Sequence, residues 1–247
     1  MTQDPVLSLK ELSYVYKEES ELKIRLDSLI LYAGSSVALI GLSGSGKSTL
    51  LECLGLIRPG FAASSYSFAG FNLLSSSLKK RTLVRSALMG IMPQQGALIP
   101  FLRIKDDFKI TLKLAFYARA KLNIKDTFTH QQAMEQAILL ANKLGIGNLL
   151  ERYPESLSQG QRQRASFVKA LIHRPRLLLI DEPTAALDPV HAKELFEIML
   201  DECAKRKLCA LAVTHDLALA RELKLKICAY DSSLSHDGLN VFKEELS

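Results

Sequence analysis

Apolar positions change their period along the chain. Between Val6 and Ile40 they come in short runs: Val6 to Leu9, an alternation from Ile24 to Leu31, and Ser36 to Ile40 after an Ala33–Gly34 turn. Such runs predict strands. The last one, Val37, Ala38, Leu39 and Ile40, lacks a polar alternate, as a strand covered on both faces requires. A helical stretch from Thr49 is expected to stop at Pro59–Gly60, and Tyr66 to Phe68 to return to an antiparallel sheet before Ala69–Gly70. Residues 104–152 carry helical periodicity. From 177 onward short apolar runs alternate with helical ones: Leu177 to Ile180, a helix over about 190–206, Cys209 to Val213, and a short helix after His215. This order predicts an α/β chain with a mostly parallel sheet and helical crossovers. No internal repeat or low-complexity linker is found, so one such unit is expected across 1–247.

Composition narrows the class. The chain has 247 residues, 48% of them hydrophobic, enough for a substantial core. No run of about 18 apolar residues occurs, and Met1 to Pro5 has neither the basic end nor the apolar stretch of a secretory leader, so a chain neither spanning nor secreted is expected. Cys53, Cys203, Cys209 and Cys228 show no paired or metal-ligand spacing and read as small buried hydrophobes suited to a reducing cytoplasm. The net charge of +6 is spread among 26 acidic residues, which does not make a nucleic-acid face.

Two segments carry chemistry. Gly41 to Thr49 fits the pattern G-x-x-x-x-G-K-S/T, after a buried strand and before a helix. Here Gly41, Ser43, Gly44, Ser45 and Gly46 would turn backbone N–H groups onto phosphates. Lys47 would reach the β and γ oxygens, Ser48 would hold Mg²⁺, and Thr49 opens the helix. An ordinary glycine-rich turn explains the glycines but not Lys47 and Ser48 directly after the last one. The apolar run Leu177 to Ile180 delivers Asp181 and Glu182 from a strand end. Asp181 is placed to hold Mg²⁺ through water, and Glu182 to polarise the water that attacks the γ-phosphate.

Five further segments, in order and at matching distances, resemble the ABC ATPase family. Leu157, Ser158, Gln159, Gly160 and Gln161 resemble its signature loop, followed by a basic helix. Pro183 to Asp188 resembles the stretch holding its D-loop, and Val213, Thr214, His215 and Asp216 its switch-histidine segment. Met92, Pro93, Gln94 and Gln95 resemble its Q-loop, with Gln94 the better match. Leu12 to Tyr16 places Tyr16 where the family stacks an aromatic ring on adenine, although Tyr14, two positions earlier on the same face, makes a plain strand aromatic the competing reading. Gln159 stands where the signature has a glycine, and Pro93 where an aromatic is usual.

The resemblance implies a P-loop NTPase core with an N-terminal antiparallel β subdomain, together over about 1–93 and 173–247, and an inserted helical subdomain over about 94–172. It implies an ATPase using ATP and Mg²⁺, with Glu182, His215 and Lys47 in catalysis and Ser48, Gln94 and Asp181 at the metal. Ser158, Gln159, Gly160 and Gln161 would act in trans on ATP held by a second copy, and Asp188 would contact that copy. The expected setting is a separate subunit peripheral to the cytoplasmic face of the cell membrane, bound to integral membrane permease subunits and nearest in appearance to the lipoprotein-releasing and macrolide-export group. A cell-division or iron–sulfur-assembly ATPase is the alternative. His130, His173, His191 and His236 match no motif and read as surface or satisfied histidines. Phe108 and Leu112 are expected in the core, whereas Phe101, just after Pro100, is expected to face the membrane partner.

Overall fold

The computed structural model describes residues 4–16, 23–125, 127–235 and 238–244; His236 lies outside them. Strands β1 (Leu7–Val15), β2 (Lys23–Leu31) and β3 (Ser36–Ile40) lead into helix α1 (Lys47–Leu54). Strands β4 (Ser65–Phe68) and β5 (Phe71–Asn72) precede α2 (Leu78–Leu88) and β6 (Met89–Met92). Helices α3 (Ile104–Lys121), α4 (His130–Lys143) and α5 (Gln159–Leu171) follow, then β7 (Leu177–Asp181), α6 (Pro189–Arg206), β8 (Cys209–Val213), α7 (Leu217–Glu222), β9 (Lys226–Tyr230) and β10 (Leu239–Glu244).

All ten strands join one sheet in the order β5-β4-β1-β2-β10-β9-β3-β8-β7-β6. Its first part is antiparallel, β1 pairing with both β2 and β4. Its second part is parallel from β9 through β3, β8 and β7 to β6. Strand β10 joins the two, running parallel to β2 and antiparallel to β9.

Why the central strands are continuously apolar follows from the pleat, which sends alternate side chains to opposite faces. Ala38, Leu178, Ile180, Ala210 and Ala212 face the cluster built by α3 to α7, around Phe108, Phe167 and Phe196. Their neighbours Val37, Leu39, Leu177, Leu179, Leu211 and Val213 face the opposite cluster, built by α1, α2 and the antiparallel strands. Both faces are thus dry, and the three alanines on the first leave room for helices to approach closely. Phe108 and Leu112 are fully buried, as their period predicts, while Phe101 is 78% exposed.

One element differs from the expectation, and several lie beyond it. Helix α1 stops at Leu54, with Gly55 as its cap, and not at Pro59–Gly60. The chain turns there because Leu56 takes a left-handed φ of 56° and the N–H groups of Ile57 and Arg58 both donate to the Glu52 carbonyl. Helix α2 and strand β6 had no reading in the sequence, and neither had β9 and β10. Buried cysteine is the observed state at all four positions, and burial pushes the Cys53 thiol to about 12 and those of Cys203 and Cys209 to about 11.

Strand β6 sets the height at which the chain enters the 93–103 segment, and Gly90 lets it do so. A Cβ on Gly90 would lie 2.0 Å from the Ala170 carbonyl oxygen of α5, a backbone atom that cannot rotate away. Gly90→Ala is therefore expected to lower stability by about 1–3 kcal/mol, since α5 must move off the sheet. Urea unfolding checks this. An unchanged midpoint would mean that α5 yields without loss.

Candidate nucleotide-binding site

The loop at 41–46 joins the buried strand β3 to α1; Gly44 is demanded by its backbone angle alone, while Gly41 and Gly46 also have no room for a Cβ. Gly44 and Gly46 take φ of 77° and 95°. A Cβ on Gly46 would sit 2.3 Å from Ile24 Cδ1, and one on Gly41 would sit 2.9 Å from Tyr230 Cβ. The Asn240 side-chain amide of β10 donates to the Ser45 carbonyl at 3.0 Å, bracing the loop from outside. Lys47 is 8% exposed and donates to the carbonyls of Gly41 and Leu42, 2.8 Å each, which holds its ammonium across the loop. No acidic residue occupies the first turn of α1, so its N-terminal partial positive charge is unopposed. A loop of this kind binds a polyanion.

The ends of β7 and β8 complete the cleft. Asp181 is 6% exposed and its Oδ1 has no hydrogen-bond partner. Burial raises its carboxyl above the usual range, against the opposing pull of the Ser48 hydroxyl, which hydrogen-bonds to it, and of the Lys47 charge. An orphaned buried oxygen beside a hydroxyl is a hard-cation donor set. Among the described residues no group of three His, Cys, Asp or Glu could hold a metal ion. A cation here would take its remaining ligands from phosphate and water, which suits Mg²⁺. Glu182 has a left-handed φ of 48°, costing roughly 1–2 kcal/mol for a non-glycine residue, and its N–H donates to the Val213 carbonyl at 3.0 Å. That turn brings its Oε2 to 2.9 Å from His215 Nδ1.

Tyr16, Ser43, Gly44, Gly46, Lys47, Ser48, Thr49, Gln94 and Glu182 line one cleft of about 300 Å³. The Tyr16 hydroxyl shares a short hydrogen bond with Thr49 Oγ1, and its ring meets Tyr14 edge-on at 5.2 Å. Gln95 lines a different cavity, with Leu98, Pro100 and Arg162. The signature-like residues are elsewhere. Ser158 caps α5 and forms a reciprocal capping box with Gln161, and Gln159 is exposed at the same helix start. A Cβ on Gly160 would lie 3.0 Å from Leu187 Cδ2 and 3.2 Å from the Ala186 carbonyl. Gln163 Oε1 accepts from the Ala186 N–H, so α5 and the segment before α6 are fastened together. Asp188 caps α6, accepting from the N–H groups of Val190 and His191, and the bond from the His191 ring holds its carboxyl below the usual range. None of Ser158, Gln159, Gly160, Gln161 or Asp188 lines the cleft.

The other described histidines have structural partners. His173 is 4% exposed and bonded to the Met89 carbonyl, and burial pushes it down to about 4, so it stays neutral. His130 stacks on Phe116 at 3.9 Å. Among the residues that shape the site, Ile24 is legible in the sequence only as a strand position, and Asn240 carries no sign of its role. A lone amide in a short strand, 195 positions from the carbonyl it serves, leaves no local sign.

The sequence pattern of the family described as ABC transporter matches residues 25–185. The chain belongs to the ABC transporter family, as an ATP-binding cassette of the ATPase type. Over 234 residues it is 34% identical to the lipoprotein-releasing system ATP-binding protein LolD 2 of Caulobacter vibrioides, covering 94% of this chain and 97% of the relative. It is 31% identical to the phosphonates import ATP-binding protein PhnC 1 of Rhodopseudomonas palustris, over 93% of this chain and 82% of that one. The fold matches the dimeric post-hydrolysis ADP- and Pi-bound structure of the cassette MJ0796, with TM-score 0.75, 23% identity, and 98% and 99% of the two chains covered.

Asp181 yields a prediction of two opposite signs. Its raised pKa means that the protonated form stabilises the fold below the ordinary carboxylate range and that this is lost as pH rises through the raised value. At neutral pH the buried charge is therefore a cost in the nucleotide-free chain. Asp181→Asn, which can still accept from Ser48, should raise the thermal midpoint at pH 7 while removing the Mg²⁺ dependence of binding a fluorescent ATP analogue. A lowered midpoint, or retained Mg²⁺ dependence, would contradict the assignment of this carboxylate.

Proposed function

We propose that the chain is the ATP-hydrolysing subunit of a multi-subunit transporter, two copies closing head to tail around two Mg–ATP and driving conformational change in integral membrane subunits. The observation that carries this is the separation within one chain. Lys47, Ser48, Gln94 and Glu182 line one cleft with Asp181 at its Ser48 side, whereas Ser158 and Gly160 sit at the start of α5, outside it. A chain folded this way has half a site and a surface that would supply the other half to a second copy. The Ser158 oxygen accepts from the Gln161 N–H, which leaves its own O–H to donate to a phosphate.

Within the cleft the roles follow from charge and reach. Lys47 and the N-terminus of α1 meet the triphosphate charge. Mg²⁺, held by Ser48 and Asp181 with Gln94 beside them, would neutralise charge on the β and γ oxygens. Glu182 is the carboxylate for the attacking water, and His215, 2.9 Å away, orients it and reaches toward the γ-phosphate. Tyr16 takes the adenine on its ring face, its hydroxyl anchored at Thr49.

The setting is the cytoplasmic face of the cell membrane. No helix among the described residues is long and apolar enough to cross a membrane, and the attachment proposed is through partner subunits. The exposed ring of Phe101, in the segment leaving Gln94, is the contact proposed for them. Relatives named for lipoprotein release and for phosphonate import share this motor, in keeping with cargo chosen by other subunits.

Glu182→Gln tests the reading, because it removes the base and keeps size and hydrogen bonding. Nucleotide binding should persist, turnover should fall by about 10²–10⁴, and a stable dimer should accumulate with Mg–ATP on size exclusion. A monomeric variant beside a normally hydrolysing wild type would refute it.

A further inference from the structure

Gln94 is held at both ends, and one of its two anchors is an ion pair that the proposed chemistry does not use. Residues 93–96 form a turn closed by the bond from the Gly96 N–H to the Pro93 carbonyl at 2.8 Å, with Gln94 and Gln95 at its centre. Before the turn, β6 is pinned in the sheet, Met92 pairing with Ile180 of β7. After the turn there is no strand or helix until Ile104, and apart from the Leu102 N–H donating to the Ile99 carbonyl at 3.2 Å, the bonds that hold the backbone of residues 97–102 come from side chains. The Ala97 N–H donates to Ser166 Oγ at 3.3 Å and the Ala97 carbonyl accepts from Lys169 Nζ at 2.5 Å, both residues of α5. The Ile99 N–H donates to Asp107 Oδ2 of α3 at 2.9 Å. Gly96, at φ 78°, lies so close to α5 that a Cβ there would be 2.7 Å from Ser166 Oγ.

Lys169 and Asp107 then close on each other. The ammonium lies 2.7 Å from Oδ1 and 2.9 Å from Oδ2, with the Asp107 side chain 1% exposed and that of Lys169 14%. The ammonium has donors enough to serve the Ala97 carbonyl and this carboxylate together, and the carboxylate accepts from both Lys169 and the Ile99 N–H while balancing the charge. The pair is shielded from solvent, so its geometry is stiff where a surface pair would be loose. Lys169 also stands on the helix that begins at the signature-like residues, and α5 is fastened to the segment leading to Asp188 through Gly160 and Gln163.

We propose that Asp107 and Lys169 are positioning residues for Gln94: they clamp the far end of its turn to the signature helix, so that the position of Gln94 follows the surface offered to a second copy. This rests on the role proposed above for Gln94. Displacing that turn by an ångström moves the glutamine off the cation without removing any group that binds the triphosphate. The clamp therefore bears on turnover and not on nucleotide affinity.

The test uses the full chain with Asp107→Asn and Lys169→Met together, which removes both charges and leaves an acceptor for Ile99. Hydrogen exchange at residues 96–99 should rise about tenfold, a local opening. The rate constant for ATP turnover should fall about tenfold, the usual cost of a misplaced group, with the Kd of a fluorescent ATP analogue within about twofold of wild type. Lys169→Arg alone, which keeps charge and donors with Asp107 intact, should leave both exchange and turnover near wild type. Should the double variant fold poorly, Ser166→Ala removes one acceptor and no charge, and should raise exchange at 96–97 alone. Unchanged exchange at 96–99, or unchanged turnover in the double variant beside a slow Gln94→Ala, overturns the clamp. Loss of nucleotide affinity in the folded double variant does so too, by making the pair part of the binding site. A Gln94→Ala protein with wild-type turnover instead strikes the reading of Gln94, while exchange still decides whether the pair holds the turn.

Discussion

Everything at this site depends on the register of four parallel strands. Leu39 of β3 lies beside Val213 of β8, Val213 beside Asp181 of β7, and Ile180 beside Met92 of β6. One row across the sheet therefore ends in the phosphate loop, the His215 segment, the acidic pair and the turn with Gln94. A slip of one residue between β7 and β8 would carry Asp181 to the other face of the sheet and away from Ser48. The register is secured by burial on both faces, because each strand divides its side chains between two separate apolar clusters. Placement of a ligand cleft at the carboxyl ends of parallel strands is what such sheets provide generally. Here it gathers groups from four separate stretches of sequence with no contact between them beforehand.

The antiparallel part of the sheet has a share in this that is easily overlooked. Ile24 of β2 fills the space that a Gly46 side chain would need, and Asn240 and Phe242 of β10 support the loop at Ser45 and Gly41. The phosphate loop is thus moulded between β3 and a wall of strands from both ends of the chain. Its glycines answer to that wall as well as to the ligand. On the other side, α5 carries the signature-like residues and grips the turn of Gln94, so that three blocks meet around one cleft: the strand ends, the antiparallel wall and the helical block.

What could be read in the sequence was what has a local signature. The phosphate loop follows an uninterrupted apolar strand, the acidic pair terminates another, and the signature-like run from Leu157 to Gln161 is contiguous. These depend on neighbours within a few positions. The end of α1 was hidden by a local backbone choice, and the other unread features depend on contacts far along the chain. Pro59–Gly60 looked like the end of α1, yet Gly55 ends it because Leu56 turns left-handed there. Met89 to Met92 is too short to announce a strand, and its Gly90 reads as a breaker when it is a place for α5 to approach. Asp107 and Lys169 are 62 positions apart and each looks like a surface residue of an amphipathic helix. Only the fold shows that they face each other in the interior.

The central claim is that one chain folds only half of each reaction site. Mixing two inactive variants measures it directly: Lys47→Ala, defective in the cleft, and Ser158→Arg, defective at the start of α5. A mixed dimer pairs the intact cleft of the second with the intact signature of the first, so the account predicts that combined subunits regain ATP turnover well above the sum of the two alone. If the mixture is no more active than that sum while each variant remains folded, the signature residues do not act across a second copy and the account is wrong.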